Sequence, residues 1–329
     1  MQTQRCCVLL MMALCVAFAL SQGFPMPDSV AALASRDLPR LTQARVPLTR
    51  AIEVRNEFGE VQTIAIPAER DLTVYVDKRE LVTLMTLGGH PEWLVLGYLL
   101  NQRLIASVDE VESITVDWEV NAASVKTRQG IDRIEERTSR RVVTTGCGQG
   151  SVFGHLMDEI DTIRLPAEAG LKQSQLYAIV NAIRLKESTY KSAGSVHACA
   201  LFHGEALQLF VEDVGRHNAV DTIAGWMAMN PAPTLQRSSG SPNGEKIFYT
   251  TGRLTSEMVI KSAQMGVAVV ISRSGITQMG LDVAQRVGLC AIGRATNQRF
   301  LCYANPQRLE LDAIPAATPI ARERAASPS

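Results

Sequence analysis

The stretch Lys246-Ile-Phe-Tyr-Thr-Thr-Gly-Arg-Leu-Thr-Ser-Glu-Met-Val-Ile-Lys-Ser-Ala-Gln-Met-Gly-Val-Ala-Val-Val-Ile271 decides the fold. Its first apolar run, Lys246 to Thr251, reads as a strand. A polar turn at Gly252-Arg253 follows. Ser256 to Met265 reads as a helix and Val267 to Ile271 as a second strand. The alternation continues with a helix over Leu281 to Val287 and a strand over Leu289 to Ile292. Strand and helix at that spacing predict a doubly wound α/β sheet with helices on both faces. Upstream, Leu176, Ile179, Val180 and Ile183 recur at helical spacing in Leu176 to Leu185, with Ser174 as the expected cap. Val196 to Phe202 and Ala206 to Val211 read as strands, and Asn218 to Met229 as a helix. Pro231 to Gly244, rich in Pro, Ser and Gly, is a loop.

Nearer the N-terminus the period shortens to two. Val61 to Ile66, Leu72 to Val76, Leu81 to Leu87, Ile114 to Val116 and Ala123 to Thr127 read as strands. One helix interrupts them, Glu92 to Leu100, with Trp93, Leu96, Leu99 and Leu100 expected on its inner face. The expected organisation is a leader and disordered lead-in over 1–50 and a strand-rich part over 51–140. An α/β domain over 141–305 and a disordered tail over 306–329 complete it.

The first 25 residues leave two readings open. Arg5 precedes an apolar run from Val8 to Leu20, the pattern of a secretory signal peptide. That run is short for a membrane span. The rival is a start placed too far upstream, with Met26 the true beginning. Seven cysteines, dispersed and without a C-x-x-C pair, do not make a disulfide framework or a zinc ribbon. They favour a reducing compartment and a cytoplasmic protein. The net charge is +0, which argues against sequence-blind nucleic-acid binding.

Two features carry chemistry. The first is Arg141-Val-Val-Thr-Thr-Gly-Cys-Gly-Gln-Gly150, a strand ending in a loop where glycines flank Cys147. Glycine leaves such a thiol uncrowded and open to a reaction partner. Backbone N–H groups, Arg141 or His155 can lower its pKa toward the reactive thiolate. The alternative is an incidental core cysteine. The second is four polar clusters at strand ends: Glu212 to Asn218, Thr250 to Ser256, Ser272 to Thr277 and Gly293 to Asn297. Each offers free N–H groups and an arginine, and the last three add hydroxyls, suited to phosphate. The alternative is local pairing of Arg216 and Arg253 with Asp213 or Glu257. No P-loop and no G-x-G-x-x-G after a strand is present, which disfavours ATP hydrolysis and dinucleotide oxidoreduction. His197 and Cys199 share a strand face. With Cys147 they suggest a metal site only weakly, and no metal is expected. His90-Pro-Glu92 matches half a zinc-deaminase signature, but its P-C-x-x-C partner is missing.

Together Thr144-Thr-Gly-Cys-Gly148, Gly194-Ser-Val-His-Ala-Cys-Ala-Leu-Phe202, Glu212-Asp-Val-Gly-Arg-His-Asn-Ala-Val-Asp221, Thr251-Gly-Arg-Leu-Thr-Ser-Glu-Met-Val259 and Gly288-Leu-Cys-Ala-Ile-Gly-Arg294 resemble the formate dehydrogenase accessory sulfurtransferase family (FdhD). The resemblance spans about Ala51 to Tyr303. It implies a C-terminal, cytidine-deaminase-like three-layer α/β domain without deaminase chemistry. It implies a sulfurtransferase that takes sulfur from a cysteine desulfurase as a persulfide. Delivery is to the molybdenum or tungsten bis(molybdopterin guanine dinucleotide) cofactor of formate dehydrogenase. The persulfide residue carries over to Cys147. The cofactor-binding stretch carries over to Ala291, Ile292, Gly293, Arg294, Ala295 and Thr296, with Arg253 added on chemical grounds. A homodimer is implied; a membrane or nucleic-acid partner is not. Many members read C-G-x-C at the loop, whereas here the last position is Gly150, so Cys147 works alone or recruits another thiol. That departure keeps a second function open: a cofactor-binding chaperone that transfers no sulfur.

Overall fold

The computed structural model describes residues 37–131, 142–143, 150–151, 160–230 and 246–314. From Pro39 onward the chain forms one compact unit. Its first part contains β1 (Arg40–Leu41), β2 (Thr49–Arg55), β3 (Val61–Pro67), β4 (Arg70–Val76), β5 (Arg79–Thr86), α1 (Pro91–Asn101), β6 (Val111–Asp117) and β7 (Ala122–Thr127). Strands β1, β6, β7, β4 and β5 make one sheet in that order, and β2 and β3 form a separate hairpin. Alternation sets the register: Leu72, Val74 and Val76 of β4 point into the core, while Thr73 and Tyr75 are less buried.

Next come β8 (Val142–Val143), β9 (Gly150–Ser151), β10 (Leu171–Lys172), α2 (Gln173–Leu185), α3 (Thr189–Ala193), β11 (His197–His203), β12 (Ala206–Asp213) and α4 (Arg216–Met229). They are followed by β13 (Lys246–Thr250), α5 (Ser256–Gln264), β14 (Val269–Ser272), α6 (Gln278–Val287), β15 (Cys290–Thr296), β16 (Arg299–Ala304) and β17 (Leu309–Glu310). The second large sheet runs β12-β11-β13-β14-β15-β16. Both of its faces are covered, so its strands read as unbroken apolar runs. Cys199, Leu201, Phe248, Val270 and Ala291 pack in one core with α4, α5 and α6. Ala200, Phe202, Ile247, Tyr249, Val269, Ile271, Cys290 and Ile292 pack in another with Leu176, Ile179 and Val180 of α2. The result is the expected three-layer α/β arrangement.

Within this sheet β13, β14 and β15 run parallel, and β12, β11 and β16 join antiparallel. Four details differ from expectation. The lead-in expected through 50 is already built at β1, which pairs with β6. Likewise β17 pairs with β10, and Asp312 accepts hydrogen bonds from Ser174, so the tail is structured past 306. Ser174, expected to cap the helix, lies inside α2, whose N-cap is Lys172. Finally, α1 is buried almost all round, and Trp93 and Leu100, expected inside, are among its least buried residues.

The reason for the last point is that α1 is a central strut. It packs on the first sheet and crosses α4 at glycines. A Cβ on Gly97 would overlap the Asp221 carbonyl oxygen and fall 2.7 Å from the Gly225 nitrogen. A Cβ on Gly225 would overlap the Trp93 carbonyl oxygen. Here backbone meets backbone, which only glycine permits. Gly97→Ala is expected to lower the unfolding free energy by about 3 kcal/mol or more, since neither helix can yield at backbone contact. Urea unfolding checks this; an unchanged midpoint would mean the helices do not touch there.

Candidate functional site

Strand direction gathers the polar clusters at one edge. β12 runs antiparallel to β11, and β11 antiparallel to β13, so β12 ends where β13 and β14 end. Register places His197 opposite Asp213, Cys199 opposite Thr250, and Thr250 opposite Ser272. The turns after β13 and β14 are cross-tied. Ser272 Oγ donates to the Gly252 carbonyl at 2.7 Å, and Leu254 N–H to the Gly275 carbonyl at 2.9 Å. Arg294, at φ 51°, donates its N–H to the Ser274 carbonyl at 2.7 Å.

The Glu212–Asp221 block, expected to hold phosphate, works mainly as a joint. Glu212 accepts from Thr189 N–H at 2.6 Å and Tyr190 N–H at 2.9 Å, seating α3 on the sheet edge. Asp213 accepts from Thr86 Oγ1 at 2.5 Å, Asn218 Nδ2 at 2.9 Å, and the Leu87 and Gly215 N–H groups at 3.3 Å. Burial outweighs those donors and raises its pKa from 3.8 to about 6. Asp221 accepts from Asn101 Nδ2 at 2.7 Å and from Lys261 Nζ at 2.9 Å. Lys261 also lies 3.4 Å from Glu257. Burial pulls Lys261 down, but Asp221 and Glu257 together carry it up to about 12, so it stays charged. His217, its Nδ1 3.6 Å from Glu257, is lowered by burial to about 3 and is neutral. The expected pairing of Arg216 or Arg253 with Asp213 is not what occupies that carboxylate. Arg216 is buried beneath Gly252, and its Nε has no hydrogen-bond partner among the described residues.

On the α2 side of the same edge lies a cavity of about 350 Å³, within the range of small-molecule sites. Tyr249, Phe210 and Tyr190 give it aromatic surface, and Arg184, Lys191 and Arg273 give it positive charge. The Arg273 guanidinium sits 5.9 Å from the Tyr190 ring centre. Ala295, Thr296 and Asn297 form another wall. Burial raises Tyr249 to about 12, so its hydroxyl remains a donor at neutral pH. Such a cavity suits a flat ring joined to phosphate.

The expected site residues divide. Ala295 and Thr296 line the cavity. Ala291 and Ile292 are consumed by the two cores. Gly293 is required because a Cβ would fall 2.6 Å from Tyr303 Cε2. Arg294 and Arg253 are exposed and do not line the cavity. Cys147, Arg141 and His155 lie outside the described residues. Cys199 donates to Thr250 Oγ1 at 3.3 Å, and burial raises its thiol to about 12, so it is no nucleophile at neutral pH. Among the described residues no His, Cys, Asp and Glu group is arranged to hold a metal, and no helix is long and apolar enough to cross a membrane. Arg184, Tyr190, Lys191 and Tyr249 escaped the sequence reading. Their segments carry ordinary helix and strand patterns, and only folding brings them together.

Fold and edge together define a three-layer α/β protein with a cationic, aromatic, nucleotide-sized cavity. The chain belongs to the FdhD/NarQ family, whose model matches residues 67–310. It is 28% identical to the sulfur carrier protein FdhD of Bacillus subtilis, over 78% of this chain and 95% of that protein. The sulfur carrier protein FdhD of Staphylococcus haemolyticus is 25% identical over 78% of this chain and 95% of its own. A crystal structure from Desulfotalea psychrophila, described as a formate dehydrogenase accessory protein, superposes with a TM-score of 0.61. It covers 80% of this chain and 100% of that one at 24% identity, and so supports the fold.

Asp213 gives a pH test. Its folded pKa lies above its ordinary value, so its stabilising contribution is full below about pH 4 and is lost as pH rises through about 6. The stability difference of wild type over Asp213→Asn should therefore shift against wild type between those values and stay flat above. Urea unfolding across pH measures it; a difference that moves toward wild type as pH rises would contradict the burial.

Proposed function

We propose that this protein is a sulfur carrier for formate dehydrogenase. It takes sulfur from a cysteine desulfurase as a persulfide on Cys147 and delivers it to the molybdenum bis(molybdopterin guanine dinucleotide) cofactor. The cofactor is cargo, and its guanine nucleotide end occupies the edge cavity. The family and the names of its relatives support the carrier role. The observation that carries the cofactor half is the cavity, where Ala295 and Thr296 meet Arg273, Lys191 and Tyr249.

The transfer needs no other cofactor. The Cys147 thiolate attacks the outer sulfur of the donor's persulfide. A new S–S bond forms on Cys147, the donor's S–S bond breaks, and the donor cysteine leaves as a thiolate. Within the cavity, Arg273 and Lys191 neutralise phosphate charge, and the tyrosine rings offer flat surface to the base. Dispersed cysteines support action in a reducing compartment.

Guanosine diphosphate binding tests the cavity. Arg273→Ala should weaken affinity by about tenfold or more, the scale of one charge-assisted contact. Arg253→Ala should leave it near the wild-type value. Calorimetric titration that shows equal affinity for Arg273→Ala and wild type would move the nucleotide elsewhere.

A further inference from the structure

Cys290 and Cys302 are neighbours on β15 and β16, their sulfurs 3.9 Å apart. The two strands pair with a register irregularity between Ala291 and Ile292, where Ala291 faces Ala304 and Ile292 faces Cys302. That irregularity brings the diagonal thiols together on one face. Cys290 is buried, and Cys302 is half-buried on the terminal strand of the sheet. A terminal strand is hydrogen-bonded into its sheet on one side only.

We propose that Cys290 and Cys302 form a redox-active dithiol, a modification site for small-molecule disulfides, with Cys302 the attacking thiol. Access and the neighbouring thiol select Cys302. The hydrogen bond the two thiols share favours the thiolate on the more open Cys302, while that contact and burial hold Cys290 protonated. In the first step Cys302 sulfur bonds one sulfur of oxidised glutathione, and one glutathione thiolate leaves. In the second, Cys290 loses its proton and attacks the Cys302 sulfur, and the second glutathione leaves. The two thiols give up two electrons to the glutathione disulfide, which becomes two glutathione molecules. An S–S bond is about 2 Å, so the pair closes by side-chain rotation and a small movement of β16.

The test uses the full chain with oxidised glutathione, followed by alkylation of the remaining thiols and tryptic peptide mass measurement. Cleavage after Arg286, Arg294, Arg299 and Arg308 puts the two cysteines on separate peptides, so Cys147 adducts are read independently. The wild type should yield a linked 287–294/300–308 pair. Cys290→Ser should stop at one glutathione on Cys302, and Cys302→Ser should leave Cys290 reduced. No linked pair in the wild type, or glutathione on Cys290 in Cys302→Ser, would overturn the proposal. The wild-type result stands even if a variant folds poorly.

Discussion

The contact of α1 with α4 governs the molecule. Two helices approach until backbone meets backbone at Gly97 and Gly225. One belongs to the first sheet and the other covers the second. The crossing buries Asp221, and Lys261 and Asn101 satisfy its carboxylate. An uncompensated charge there would cost several kcal/mol. Asp213 and Asn218 extend the joint, binding Thr86 and the Met85 carbonyl at the end of β5. The first sheet is thus tied to the strand end from which the cavity-bearing edge begins.

This explains a division within the chain's most distinctive motif. Glu212, Asp213, Asn218 and Asp221 stand in a row that resembles binding equipment, yet each is occupied by the protein's own groups. They hold the edge in shape, and the cationic residues of the cavity come from other segments. Function resides in the site that a fold presents, not in the fold itself.

Much of the architecture was legible because periodicity is a local signal. The 246–292 alternation gave the parallel strands and their helices, and β-branched runs gave the first sheet. Strand direction was not legible, since it is fixed by pairing across distance: β11 reverses and β16 returns at the edge. Trp93 and Leu100 lie on the expected stripe of α1, but a helix packed on two sides has no single inner face. Of the matched stretch 291–296, only Ala295 and Thr296 line the cavity, and the strand turns Ala291 and Ile292 into the two cores. Tyr190 and Lys191 carry no signal of their own until Glu212 seats α3.

The most direct measurement of the central claim is the mass of the Cys147 peptide after the full chain is incubated with a cysteine desulfurase and cysteine. The account predicts one added sulfur atom on that peptide in the wild type, at a site that Cys147→Ala removes. Sulfur absent from Cys147, with guanosine diphosphate still bound, would contradict it and leave a cofactor chaperone in its place.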